Sequence, residues 1–231
     1  MKKAVILLII LSISVQMFAQ MKTVLIENNR AVNDPLFNKR MFFFEDFVDS
    51  RITMKDGSTY SAKANIVTIY QYVVMIEKGD TIVTSMEKDI ASFKGGGALI
   101  YKIDGVYHEI IESNAAVLLA LTKMINFEGE KLTGAYGGSN ETASISKVSR
   151  KNMNSQDGWA WAEGNRVEMR YQYKEQLFLV VGNKRYVATK RNFEKLFPQQ
   201  KANILMFIDD NNINMSNNDD VIALFRHLEQ G

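Results

Sequence analysis

Residues 99–111, LIYKIDGVYHEII, read as a β-hairpin in which two β-branched and aromatic runs meet at Asp104-Gly105. Asp-Gly tolerates the positive φ angles of a tight two-residue turn, and the flanking residues fit a pleated, half-buried surface. The same signal recurs on the N-terminal side. RITMKDGSTYSAKANI (51–66) turns at Asp56-Gly57, and VVMIEKGDTIVTSM (73–86) turns at Gly79-Asp80. Three turn signals about 24 residues apart predict a meander of antiparallel strands over 41–127, one face buried and the other wet.

Working outward, Val117–Phe127 (VLLALTKMINF) reads as one longer strand, with a helix as the alternative because Leu118, Leu119 and Leu121 suit either period. Residues 128–158 are rich in Gly, Ser and Asn, carry four basic and four acidic residues, and show no sustained periodicity, so they read as a polar loop or insertion. Strands resume at Arg166–Tyr173 and Gln176–Val181, and the chain turns at Gly182-Asn183 into RYVATK. The period then changes. Asn192–Phe197 reads as a short helix, Pro198 starts a second, and Ala202, Ile204, Leu205 and Ile208 fall on its inner face. A last helix follows Ser216 as its cap, with Asp219 in the first turn and Val221, Ile222, Leu224, Phe225 and Leu228 as its apolar stripe. The expected class is α+β: an antiparallel β-meander or sheet followed by a short C-terminal helical segment. Residues 159–231 are expected to share a globular unit with 41–127, and residues 20–40 form a lead-in.

The first residues, MKKAVILLIILSISVQMFAQ, have the three parts of a secretory signal peptide: Lys2 and Lys3, an apolar stretch from Ala4 to Val15, and a small residue, Ala19, before the cut. The apolar stretch falls short of the ~20 residues that a membrane-spanning helix needs. Removing residues 1–19 takes away two basic residues and no acid, leaving 26 basic against 26 acidic. The balance gives no argument for nucleic acid or an anionic membrane as partner. There is no cysteine, so disulfides, thiolate metal sites and thiol lipidation are all excluded.

Catalytic and cofactor motifs are tested on the same terms. In FKGGGALIY (93–101) Lys94 precedes the glycines and a strand follows them, whereas a P-loop needs its lysine after the glycines and then a helix. His108 and His227 are the two histidines, and no Gly-x-Ser-x-Gly elbow accompanies them, so no nucleophilic triad is indicated. DDNNINMSNNDD (209–220) superficially resembles a calcium loop. Started at Asp210, it places Met215 at the glycine position and Val221 where a glutamate should close the shell, which favours capping turns instead. Acidic pairs such as Glu45 with Asp46 and Glu87 with Asp89 could serve acid and base roles, but a chain with 26 acids offers many such pairs, and adjacent residues such as Glu45 and Asp46 would point to opposite faces of a strand. No cofactor or metal is expected from these motifs.

Two features point to binding. Trp159 and Trp161 would share one face of a strand, where they could stack on sugar rings, anchor a partner or fill a core. Arg166–Lys195 holds eight basic residues against three acidic ones, interleaved with aromatics that include Tyr171 and Tyr173. For an exported chain that mixture fits an anionic envelope polymer better than nucleic acid, or is matched by the acidic 209–220 turn of the same chain. Trp159, Trp161, Tyr171 and Tyr173 are therefore the candidate partner-binding residues.

The order of parts resembles a broad group of small exported Bacteroidota proteins of uncharacterised function. The likeness is carried by FAQ (18–20), KDGSTYSAKANI (55–66), VVMIEKGDTIV (73–83), GVYHEIIESNAAVLLALTK (105–123) and the segment from LFLVVGNKRYVATK through IDDNNINMSNNDDVIALFRHL (177–228). It implies a periplasmic or outer-membrane-associated location, possession of a C-terminal hairpin followed by two helices around a polar turn, and no catalytic residue to carry over. The 128–158 insertion departs from the compact form of that group. The expectation is an exported, non-catalytic module that binds an envelope protein or glycan, with no nucleic acid and no membrane span after signal removal. The alternative is an envelope glycan hydrolase whose carboxylates the fold brings together.

Overall fold

The computed structural model describes residues 21–27, 30–77, 80–83, 87–114, 116–132 and 167–229. The signal-peptide reading of 1–19, residues 133–158 of the predicted loop, Trp159 and Trp161 lie outside the described residues. In chain order the elements are β1 Lys22–Glu27, β2 Arg30–Ala31, α1 Pro35–Arg40, β3 Val48–Met54, β4 Thr59–Val67, β5 Tyr72–Glu77 and β6 Asp80–Val83. There follow β7 Ile90–Gly95, β8 Ala98–Ile103, β9 Val106–Ser113, β10 Leu118–Leu132, β11 Val167–Val181, β12 Lys184–Val187, α2 Lys190–Leu196, α3 Lys201–Asp210 and α4 Asn218–Glu229. Antiparallel sheet followed by short C-terminal helices is the fold class expected.

The chain divides into two compact units. The larger comprises Arg40–Met124 and Lys174–Gly231, the smaller Met1–Lys39 and Ile125–Tyr173, and β10 and β11 contribute residues to both. In the larger unit the strands follow the order β11-β10-β9-β8-β7-β3-β4-β5-β6, with β12 paired to β11. Sequence neighbours are mostly sheet neighbours, as hairpin connections require; only β3, lying between β7 and β4, breaks the run.

The hairpins obey the turn chemistry, with one shift of register. Ile103 pairs with Val106 across Asp104-Gly105, whose φ angles of 52° and 76° are those of a type I′ turn. Val181 pairs with Lys184 across Gly182-Asn183, with Gly182 at φ 56°. Asp56-Gly57 instead belongs to a longer loop closed by Met54 N–H donating to Ser58 O, and Asp56 Oδ1 accepts from the Ser58 N–H and hydroxyl. At the fourth site Glu77 pairs with Asp80. Asp80 is thus a strand residue and not part of the turn assigned to Gly79-Asp80; residues 78–79 lie outside the described residues.

The glycine triplet of FKGGGALIY closes a further hairpin, between β7 and β8. Gly95 pairs with Ala98, and Gly96 and Gly97 take φ 57° and 81° between them. A Cβ on Gly96 would stand 3.0 Å from the Phe44 ring, whereas one on Gly97 would meet nothing within 4 Å. Gly96→Ala is expected to lower unfolding free energy by about 2 kcal/mol, and Gly97→Ala by less, because only the first adds a steric contact to the strained φ. Urea denaturation of both variants checks this; equal losses would remove Phe44 from the explanation.

Among the described residues of the larger unit lie two large cores and one smaller cluster. The first is enclosed by β3–β5 and β7–β9 and contains Ile52, Ile66, Val73, Ile90, Phe93, Ile100 and Tyr107. Phe43 and Phe44 join it from residues 41–47, an irregular stretch at the start of the span 41–127 read as a strand meander. Asn65, fully buried, holds that stretch in place: Oδ1 accepts from Phe44 N–H, while Nδ2 donates to Phe44 O and Asp46 O. Buried amides persist when their hydrogen bonds are met in this way.

The second core joins β10–β12 to the helices through Leu119, Leu177, Leu179, Phe193, Ile204, Val221, Leu224, Phe225 and Leu228. Phe178 and Val180 are also buried, packing with Ile103 and Ala120 in a separate cluster. The sheet is therefore covered on both faces here, which is why QLFLVV reads as a continuous apolar run and not an alternation. The expected wet face survives on β8, where Leu99 and Tyr101 are exposed between buried Ala98, Ile100 and Ile103.

The remaining differences are local. Residues 128–132, placed in the polar loop, are the end of β10, and β11 runs unbroken across the gap expected at 174–175. In α3 Ile204 and Ile208 are buried but Ala202 is exposed. Asn217, not Ser216, caps α4, its Oδ1 accepting from Asp219 N–H. In the smaller unit β1 pairs with β2 and with the start of β11, Lys22 lying opposite Tyr171 and Ile26 opposite Val167.

Candidate functional site

Glu87 opens a 3-10 turn, Glu87–Asp89, immediately before β7. Its carboxylate accepts from three donors of the protein. Oε1 accepts from the Tyr107 hydroxyl at 2.6 Å and from Lys102 Nζ, and Oε2 accepts from Val73 N–H at 2.8 Å. Lys102 Nζ also donates to the Glu87 backbone carbonyl at 2.8 Å and lies 4.9 Å from the Tyr107 ring centroid. One acid thereby ties β5, β8 and β9 together. Burial, the Glu87 charge and the hydrogen bond to Glu87 all push the Tyr107 hydroxyl far above the usual tyrosine range. Tyr107 is a donor here and not a base. Tyr72 is raised by burial, then by Tyr70 and Glu87.

Gln71 stands beside this network in the β4–β5 turn, at φ 56°. Its Oε1 accepts from Tyr107 N–H, and its Nε2 donates to Thr68 O and Lys123 O. The β9–β10 ladder stops after Leu121 opposite Glu109, and its continuation would pair Thr122 with His108 and then Lys123 with Tyr107. Gln71 therefore makes, with one side chain, the bonds that the two strands no longer exchange.

A cleft of about 1050 Å³ opens over these residues. Tyr70, Gln71, Glu87 and Lys102 line it, together with Lys55, Lys88, Tyr101 and the two glycine turns at Gly105 and Gly182. Tyr70 lies parallel to Tyr72, ring centroids 5.7 Å apart, and Tyr101 is 38% exposed. The carboxylates in the lining are Glu87 and Asp104. Asp104 sits at the Asp-Gly turn, 4.0 Å from the Arg185 guanidinium. Lys55 and Lys88 are exposed, and their ammonium groups make no ion pair among the described residues.

The residues singled out in the sequence are dispersed. Tyr171 is buried in the smaller unit, edge-on to Phe37 at 4.8 Å, its hydroxyl donating to Asp34 Oδ2. It is core, not a partner-binding surface. Burial works against charge on Asp34, but the Tyr171 hydroxyl, the Phe37 N–H, Lys22 and the Leu36 N–H outweigh it and hold the carboxyl below its usual range. Tyr173 is half-buried. His227 stacks on Phe207 at 4.2 Å and shares a hydrogen bond with Asn203, and His108 is wholly buried. Glu45 and Asp46 lie in the irregular stretch and Glu87 and Asp89 in a 3-10 turn, so the strand argument applies to neither pair. In the 209–220 turn, Asn211 bonds back to Phe207 O, Asp220 Oδ2 accepts from Asn214 N–H, and Asn214 Oδ1 accepts from Ser216 N–H. These polar side chains close two helix ends.

No protein-family model, curated protein or solved structure matches this chain. No helix among the described residues is long and apolar enough to cross a membrane.

Proposed function

We propose that this chain is an exported, non-catalytic binding module of the cell envelope, located in the periplasm or at the outer membrane, that takes an envelope protein or glycan in the cleft above Glu87. The signal-peptide pattern of residues 1–19 and the likeness to exported Bacteroidota proteins support the location. The observation that carries the binding reading is the state of Glu87. A general acid or base needs an oxygen facing the substrate, and both Glu87 oxygens are occupied by donors of the protein itself. The cleft offers instead what recognition uses: aromatic rings, uncommitted ammonium groups and backbone at open turns.

Co-sedimentation of the purified chain with isolated cell-wall and outer-membrane polysaccharide fractions, with assay of released reducing ends, tests the proposal. Retention without new reducing ends is expected. Release of reducing ends that Glu87→Gln abolishes would establish the hydrolase in its place, and absence of retention on either fraction would remove the binding reading.

A further inference from the structure

We infer that the ligand of this cleft is a glycan bearing carboxylate or phosphate groups, held electrostatically by Lys55 and Lys88 and by ring stacking on Tyr101; the inference rests on the binding reading above. Charge comes first. The chain as a whole is nearly balanced, 28 basic against 26 acidic residues, so a local excess of positive charge is a property of the site. Glu87 is neutralised by Lys102 and hydrogen-bonded by the Tyr107 hydroxyl within the wall, and Asp104 lies 4.0 Å from the Arg185 guanidinium. The charges left for a ligand are the ammonium groups of Lys55 and Lys88.

Shape and polarity narrow the class. The volume of about 1050 Å³ lies at the upper end of ligand clefts, room for several sugar rings and more than a lone anion would fill. The exposed lining mixes polar surface with a somewhat larger share of apolar surface, which suits the amphipathic faces of sugar rings. Tyr101, on the exposed face of β8, offers a flat ring to the C–H face of a sugar. Nothing stands within 4 Å of where a Cβ on Gly105 or Gly182 would be, so a bulky polyhydroxylated chain can approach the backbone of both turns. Hydroxyl-rich, anionic and several rings long describes an acidic polysaccharide.

Calorimetric titration of the full chain with a galacturonate tetramer, a phosphomannan tetramer and neutral maltotetraose tests this and separates the carboxylate source from the phosphate source. At least one anionic tetramer should bind about tenfold tighter than maltotetraose, with affinity falling as salt is raised. Lys55→Glu with Lys88→Glu should weaken it by about tenfold or more, and Tyr101→Ala by about fivefold. Lys55→Gln with Lys88→Gln gives the same test with less perturbation of the fold. Equal affinity for maltotetraose, or an unchanged affinity in both lysine variants, overturns the inference while leaving a neutral-glycan module standing. Tighter binding of a thymidine octamer than of either acidic tetramer overturns it in favour of a nucleic acid. If no tetramer binds although the envelope fractions retain the chain, the acidic-glycan inference falls and the module reading survives. If neither binds, both fall.

Discussion

Glu87→Ala is expected to lower the unfolding free energy by about 3–5 kcal/mol, as removal of one partner of a buried ion pair does. The loss has three parts acting on different strands. Lys102, with a side chain 11% exposed, keeps its charge without its carboxylate. The Tyr107 hydroxyl and the Val73 N–H each lose an acceptor in a place that water reaches poorly. Glu87→Gln should cost less, because its carbonyl can still accept from one of these donors. Adding Lys102→Met to Glu87→Ala should recover part of the stability, since the orphaned charge is then gone. Chemical denaturation of wild type, Glu87→Ala, Lys102→Met and the double variant measures the coupling; additive losses from Glu87→Ala and Lys102→Met would show that the pair is not coupled in the fold.

The second large effect concerns acid. His108 is wholly buried on β9, edge-on to Phe178 at 5.3 Å, with Nδ1 2.5 Å from Thr122 Oγ1. Its Nε2 has no hydrogen-bond partner among the described residues. Burial depresses its pKa to about 4, with the Arg185 charge adding to the shift and Asp104 opposing it. The depressed value fixes the direction. Above pH ~6.5 the imidazole is neutral both folded and unfolded and contributes nothing to the pH dependence. Below that the unfolded chain takes up a proton that the folded chain refuses, so stability falls as pH drops towards 4, by about 3 kcal/mol in all. His108→Leu combined with Thr122→Val removes the titrating group and its hydroxyl partner together. The variant's stability should decline less steeply than wild type between pH 6.5 and 4. Parallel pH profiles would show that His108 is protonated in the folded chain.

Much of the fold was legible from turn dipeptides, because Asp104-Gly105 and Gly182-Asn183 carry the local backbone preference that closes a hairpin whatever surrounds it. Helix positions followed from the apolar stripe of Val221, Leu224, Phe225 and Leu228 for the same local reason. Register within Lys78-Gly79-Asp80 was not legible, since two overlapping dipeptides both suit a tight turn and the choice depends on what β5 and β6 pair. The irregular 41–47 stretch was hidden too. MFFFEDF looks like strand by composition, and only Asn65, an amide inside the apolar NIV end of β4, hints that something irregular must be bonded there.

The candidate site was almost wholly illegible. Glu87, Lys102 and Tyr107 are separated by 15 and 20 residues and meet only because the β7–β8–β9 turns fold back on one another. Neither their types nor their spacing matches a motif. Aromatic residues drew attention instead, and Tyr171 shows why that misleads: a tyrosine whose hydroxyl finds an internal carboxylate is as good a core residue as phenylalanine.

Gln71 has a consequence for solubility. Where neighbouring strands part before their ladder is complete, bare N–H and C=O groups remain, and these are the groups on which a foreign strand can nucleate. Here the Tyr107 N–H and Lys123 carbonyl are already taken by one amide side chain held in a left-handed turn. The gap between β9 and β10 is closed from within the chain, so the larger unit can let its strands diverge without offering a template for aggregation.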